Sequence, residues 1–156
     1  MLSTDAPKHV LVVRVAIAQA ALDAFVGRPF AWGTSDCAGL AAFVMTRAGL
    51  KPNLAQFGHY RSDRDALRAL RTRKMKTVLD WVDSVKGVRR ITPAAALPGD
   101  IIAFPGEGGW HGLTVYLGNG RVLGYTEAAT DGACSIIAAK MEFAEAAWSV
   151  PPWQKS

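Results

Sequence analysis

The hydrophobic pattern changes period at Gly87, and this change narrows the possible folds more than any other feature of the chain. Upstream of it, apolar residues recur at helical spacing. Downstream they gather in short runs bounded by Gly, Pro and Asn. Helices are expected at about 8–26, 36–48, 63–74 and 77–86, and strands at 100–104, 112–117, 121–126 and 134–138. A short helix or turn at 141–148 and a last strand at 148–150 precede Pro151-Pro152. Gly118-Asn119-Gly120 is a hairpin turn signal between two of the strands. Helices first and antiparallel strands afterwards describe an α+β domain and exclude a doubly wound parallel sheet.

One domain over residues 1–156 is expected, with a helical part at about 8–86 and a strand part at about 97–150. Half of the residues are hydrophobic and 20% are charged, which excludes a disordered or low-complexity chain. The formal charge of +5 suits an anionic partner such as bacterial cell wall. No recognised nucleic-acid motif accompanies that charge, so nucleic acid is not an expected partner. Neither a Gly-rich phosphate loop nor a zinc-type ligand cluster is present, so no metal and no cofactor is expected. Arg14 interrupts the apolar run at 9–26 and Asp23 follows it closely. The run is a poor signal-peptide core and too polar to span a bilayer, and it is read as a structural helix.

The chemistry concentrates at Arg28-Pro29-Phe30-Ala31-Trp32-Gly33-Thr34-Ser35-Asp36-Cys37-Ala38-Gly39-Leu40. Pro29 fixes its own backbone and turns Arg28 away from helix, and Gly33 permits a conformation closed to its neighbours. Ser35 and Asp36 are capping residues ahead of an apolar helical pattern at Leu40, Ala41, Phe43, Val44 and Leu50. Cys37 then falls in the first helical turn, where free amides and the helix dipole favour a thiolate. The plain alternative is a cysteine buried as a small hydrophobe. Cys134 is the other cysteine, and the two are read as free thiols because their contexts differ.

Two patches together resemble the NlpC-type, papain-like cell-wall cysteine peptidases. The first is Pro29-Phe30-Ala31-Trp32-Gly33 followed by Asp36-Cys37-Ala38-Gly39-Leu40. The second is Leu97-Pro98-Gly99-Asp100-Ile101-Ile102-Ala103-Phe104, then His111, then Val115-Tyr116-Leu117-Gly118-Asn119-Gly120. The patches cover about a third of the chain, and the two helices expected between them resemble a phage- and prophage-associated branch of the family. The resemblance implies a papain-like fold with N-terminal helices on an antiparallel sheet, and hydrolysis of peptidoglycan stem peptides by a tail-tip or cell-wall-penetration protein. It implies a location in the virion or the cell envelope, with peptidoglycan peptides and other tail-tip proteins as partners.

Carried over by position, Cys37 is the nucleophile and His111 the general base and acid, with Trp32 and Asp36 at the substrate groove. The family's histidine aligns with Gly112, one residue after His111, and a β-bulge near Gly112 is expected to restore its direction. The family's third polar residue aligns with Gly124, and Thr126 or Glu127 is the expected substitute for orienting the imidazole. Two readings follow. One is a working endopeptidase. The other is a tail-tip subunit that keeps the fold without the catalysis, docking through the stripe of Arg64, Arg68 and Arg71 and the C-terminal Trp148 and Trp153.

Overall fold

The computed structural model describes residues 5–106, 111–125 and 132–152, with side chains from Val10 onward. Four helices lead and a six-stranded antiparallel sheet follows, so the α+β expectation holds. Helix α1 spans Asp5–Phe25, α2 Cys37–Arg47, α3 Asp63–Thr72 and α4 Val78–Ser84. The strands are β1 Arg89–Ile91, β2 Ile101–Phe104, β3 Gly112–Gly118, β4 Arg121–Gly124, β5 Ser135–Ala138 and β6 Ala146–Ser149. Their order across the sheet is β1-β6-β2-β3-β4-β5.

The helix boundaries are set by local chemistry. Ser62 caps α3 by accepting from the Asp65 amide. Thr77 and Asp80 form a reciprocal capping box at α4. Asn119 and Gly120 both have positive φ (54° and 73°), which is the two-residue turn that the β3–β4 hairpin requires. Strand β1 had no expectation behind it, because Arg-Arg-Ile is too short and too polar to show alternation. Residues 141–143 form one 3₁₀ turn, and the last strand starts earlier than expected, at Ala146.

Period two sorts the sheet into two faces. Leu113, Val115, Ile101, Ala103, Leu123 and Trp148 join the helices in the main core, which also takes in Cys37 and Cys134. Ile102, Val122, Ala147, Tyr116 and Phe104 pack on the opposite face. Helix α1 packs inward along one side although it is rich in apolar residues. Leu11, Val12 and Val15 remain exposed, while Ile17, Ala18, Ala21 and Phe25 face inward.

Arg14, the residue that broke the apolar run, is buried. Its guanidinium reaches Asp100 Oδ1 at 2.6 Å and the Ser149 hydroxyl at 3.3 Å. Asp100 also accepts from the amides of Leu97 and Val150 at 2.9 Å each. One carboxylate thereby joins α1, the turn before β2 and the end of β6. A buried ion pair of this kind is costly to break, since the remaining charge is left without compensation.

Candidate active site

The turn before α2 is built around one carboxylate. Asp36 is fully buried; its Oδ1 accepts from the Gly39 amide at 2.7 Å and its Oδ2 from the Gly33 amide at 2.9 Å. The first bond caps α2 and the second closes the preceding loop, where Gly33 sits at φ 82°. Gly39 is required by space. A Cβ there would lie 2.8 Å from the Thr34 carbonyl oxygen and 3.1 Å from Asp36 Oδ1. The Asp-Cys-Ala-Gly spacing is therefore a structural unit that presents Cys37 as the first residue of a helix. Asp36, expected at the substrate groove, is instead a buried cap.

The turn is also held from outside. Gly27 donates to the Cys134 carbonyl at 2.8 Å, Cys134 to the Arg28 carbonyl at 2.9 Å and Phe30 to the Gly132 carbonyl at 3.1 Å. Cys134, expected to begin the strand at 134–138, instead pairs with the turn before α2 together with residues 132–133, and β5 starts only at Ser135. Four rings line the turn in edge-to-face contacts: Tyr125 with Phe30 at 5.4 Å, Phe30 with Trp32 at 4.9 Å, and Trp32 with Tyr60 at 6.1 Å. Burial first, and then the nearby Asp36 carboxylate, raises the Tyr60 phenol well above its ordinary range. Burial first, and then the neighbouring Cys134 and Asp36, does the same to Tyr125. The Tyr60 and Tyr125 phenols therefore remain protonated in the folded chain.

Cys37 and His111 come together from opposite halves of the sequence. Cys37 Sγ lies 3.6 Å from the backbone carbonyl oxygen of His111, to which a thiol donates. The imidazole runs elsewhere: Nδ1 is 2.7 Å from Glu145 Oε2, an ion-pair distance whose N–H direction is out of line for a hydrogen bond. Among the described residues, no bulge interrupts the pairing of β2 with β3 at Gly112. Pairing of β2 with β3 is regular from Ile101↔Val115 to Phe104↔Gly112. The one irregularity in β3 lies between Tyr116 and Gly118, on the β4 side. Position 111 is thus in phase with Leu113 and Val115, which face the helices, and Gly112 is in phase with the opposite face.

Gly124 is the residue the sheet demands. A Cβ there would approach Thr114 Cγ2 to 2.7 Å, and Thr114 is itself fixed by donating to the Ile102 carbonyl at 2.9 Å. Thr126 and Glu127, the expected orienting residues, lie outside the described residues, as does Trp153. Glu145 had no sequence signal, because it precedes a short strand far from either motif. Neither Cys37 nor Cys134 is in a disulfide, as read from the sequence, and both are buried. Among the described residues, no group of three or more His, Cys, Asp or Glu side chains forms a metal-binding cluster.

An open cleft of about 780 Å³ is lined among others by Phe30, Trp32, Gly112, Thr114, Tyr125 and Phe143, and neither Cys37 nor His111 lines it. Trp32, the expected groove residue, is one of its walls. On α3, Arg64, Arg68 and Arg71 are exposed around Leu67, so the basic stripe faces solvent. No described helix is long and apolar enough to cross a membrane.

The fold and site define an α+β domain with a helix-capped cysteine set against a histidine-bearing strand. The chain belongs to the family described as Domain of unknown function (DUF6950), whose model matches residues 13–150. No curated protein matches it.

Proposed function

We propose that this domain is a papain-like cysteine hydrolase of the NlpC type, acting on peptide bonds of the cell-wall stem peptide. The observation that carries the reading is the approach of the Cys37 sulfur, at the head of α2, to the backbone of His111, the residue just before β3. A helix N-terminus favours the thiolate, and the adjacent histidine supplies the base. In the reaction, the thiol proton passes to the imidazole and the sulfur adds to the scissile carbonyl carbon. The C–N bond then breaks and the amine leaves with that proton. Water hydrolyses the thioester, which releases the acid and restores the thiol. The Cys37 amide, in the first turn of α2, is the candidate oxyanion donor. The aromatic cleft beside Trp32 supplies a place for the peptide. The cell-wall substrate and a phage tail or envelope setting follow from the resemblance in the two motifs.

Purified sacculi test the reading. The wild-type protein releases new amino termini from them and Cys37→Ser does not. Intact sacculi after prolonged incubation with folded wild-type protein count against it.

A second reading has its own observation. Cys37 is 5% exposed and its sulfur faces a carbonyl oxygen, which would repel a thiolate. On that reading the domain is a silent tail-tip subunit, docking through Arg64, Arg68 and Arg71. Reversing those three charges then weakens assembly, whereas an active hydrolase keeps its turnover.

A further inference from the structure

We propose that Glu145 is the positioning residue for His111, in the place left empty at Gly124. This inference rests on the hydrolase reading. It starts from strand order. Strand β2 lies between β3 and β6, with Phe104 paired to Gly112 on one side and Ala103 to Ala146 on the other. The Glu145 amide continues that ladder by donating to the Ala103 carbonyl at 2.9 Å. The residue before β3 and the residue before β6 therefore emerge at the same end of the sheet. Their side chains meet there, with Nδ1 of His111 2.7 Å from Oε2 of Glu145.

The chemistry follows from tautomer control. The carboxylate charge 2.7 Å from Nδ1 favours the proton on that nitrogen, though not through an aligned hydrogen bond, and leaves the Nε2 lone pair to act as the base. It also stabilises the imidazolium that forms when the thiol proton is taken up. No residue on β4 is able to do this, because Thr114 fills the space a side chain at position 124 would need. Among the described residues, Glu145 is the only carboxylate within ion-pair distance of His111. The histidine side chain is 15% exposed and the carboxylate 40%, so the ring is sheltered while its partner stays hydrated. As a mere surface ion pair, the contact would contribute little to stability and nothing to reactivity.

The test follows iodoacetamide alkylation of Cys37 by peptide mass mapping from pH 5 to 9 in the intact protein. The variants are Glu145→Gln, Glu145→Asp and, as a control on the neighbouring exposed carboxylate, Glu142→Gln. Glu145→Gln is expected to slow Cys37 alkylation below pH 8 about tenfold. Glu145→Asp restores part of the rate, Glu142→Gln changes nothing, and turnover on sacculi falls through kcat with KM unchanged. If Cys37 reacts readily and Glu145→Gln follows the wild-type profile, Glu145 does not position His111 and the hydrolase reading survives. If wild-type Cys37 is inert below pH 8, both fall together.

Discussion

Neither Cys37 nor Cys134 is in a disulfide and both are buried in the same core, yet their surroundings differ in every respect that matters for reactivity. Cys134 lies in an extended segment whose backbone is spent on pairing with Gly27 and Arg28. Burial pushes its thiol up to about 11, a rise that the contact with Tyr125 offsets only in part. Cys37 begins a helix, next to an aspartate that caps that helix and beneath a histidine carbonyl. Burial alone therefore does not distinguish a nucleophile from a packed cysteine. What distinguishes them is the local backbone. One thiol sits in the first turn of a helix, where the dipole favours an anion, the other in a paired extended segment.

The sharpest way to break this comparison is to remove each thiol in turn. Cys37→Ser abolishes sacculus hydrolysis. Cys134→Ala leaves the rate of the folded enzyme within about twofold and costs roughly 1–2 kcal/mol of stability in urea unfolding. Equal loss of activity in both would erase the distinction. Next in size is the cap. Asp36→Ala leaves the Gly33 and Gly39 amides without their acceptor and lowers stability by about 2 kcal/mol, with the loss concentrated at the start of α2. Hydrogen exchange of the Gly39 amide reads the same change locally.

Gly39→Ala perturbs the same turn through space. The new methyl must displace either the Thr34 carbonyl or Asp36, at a cost of about 1–2 kcal/mol. The smallest effect is on pH dependence. The Cys134 thiol titrates higher in the folded chain than its ordinary 9.0, so unfolding releases its proton more readily. Its contribution is therefore intact below pH 9 and declines as pH rises toward 11, by about 1 kcal/mol at pH 10. Tyr60 and Tyr125, held above 10.0, add a decline of the same sign at higher pH. Cys134→Ala removes only the cysteine part, which urea unfolding at pH 8 and pH 10 resolves.

The Cys37 side was legible because its local structure is set by neighbouring residues. Pro29, Gly33, Asp36 and Gly39 act within a dozen residues of Cys37, and each has a conformational signature that the sequence displays. The histidine side was not, because strand register and sheet order decide it. Counting along β3 suggested a bulge at Gly112, whereas regular pairing with β2 puts position 111 in phase with the helix-facing residues without one. Glu145 is brought to His111 by the insertion of β6 between β1 and β2, a crossover that no local pattern records. Arg14 shows the same limit. Its charge broke an apolar run, and only its distant partner Asp100 explains why it is buried.

The account depends above all on His111 activating Cys37. The direct measurement is the rate of iodoacetamide alkylation at Cys37, mapped by mass spectrometry from pH 5 to 9, in the wild-type protein and in His111→Ala. The account predicts ready alkylation well below pH 8 in the wild type, and in the variant a rate that rises only toward the range of an ordinary thiol, near 8.5. Superimposable profiles in the two proteins would contradict it.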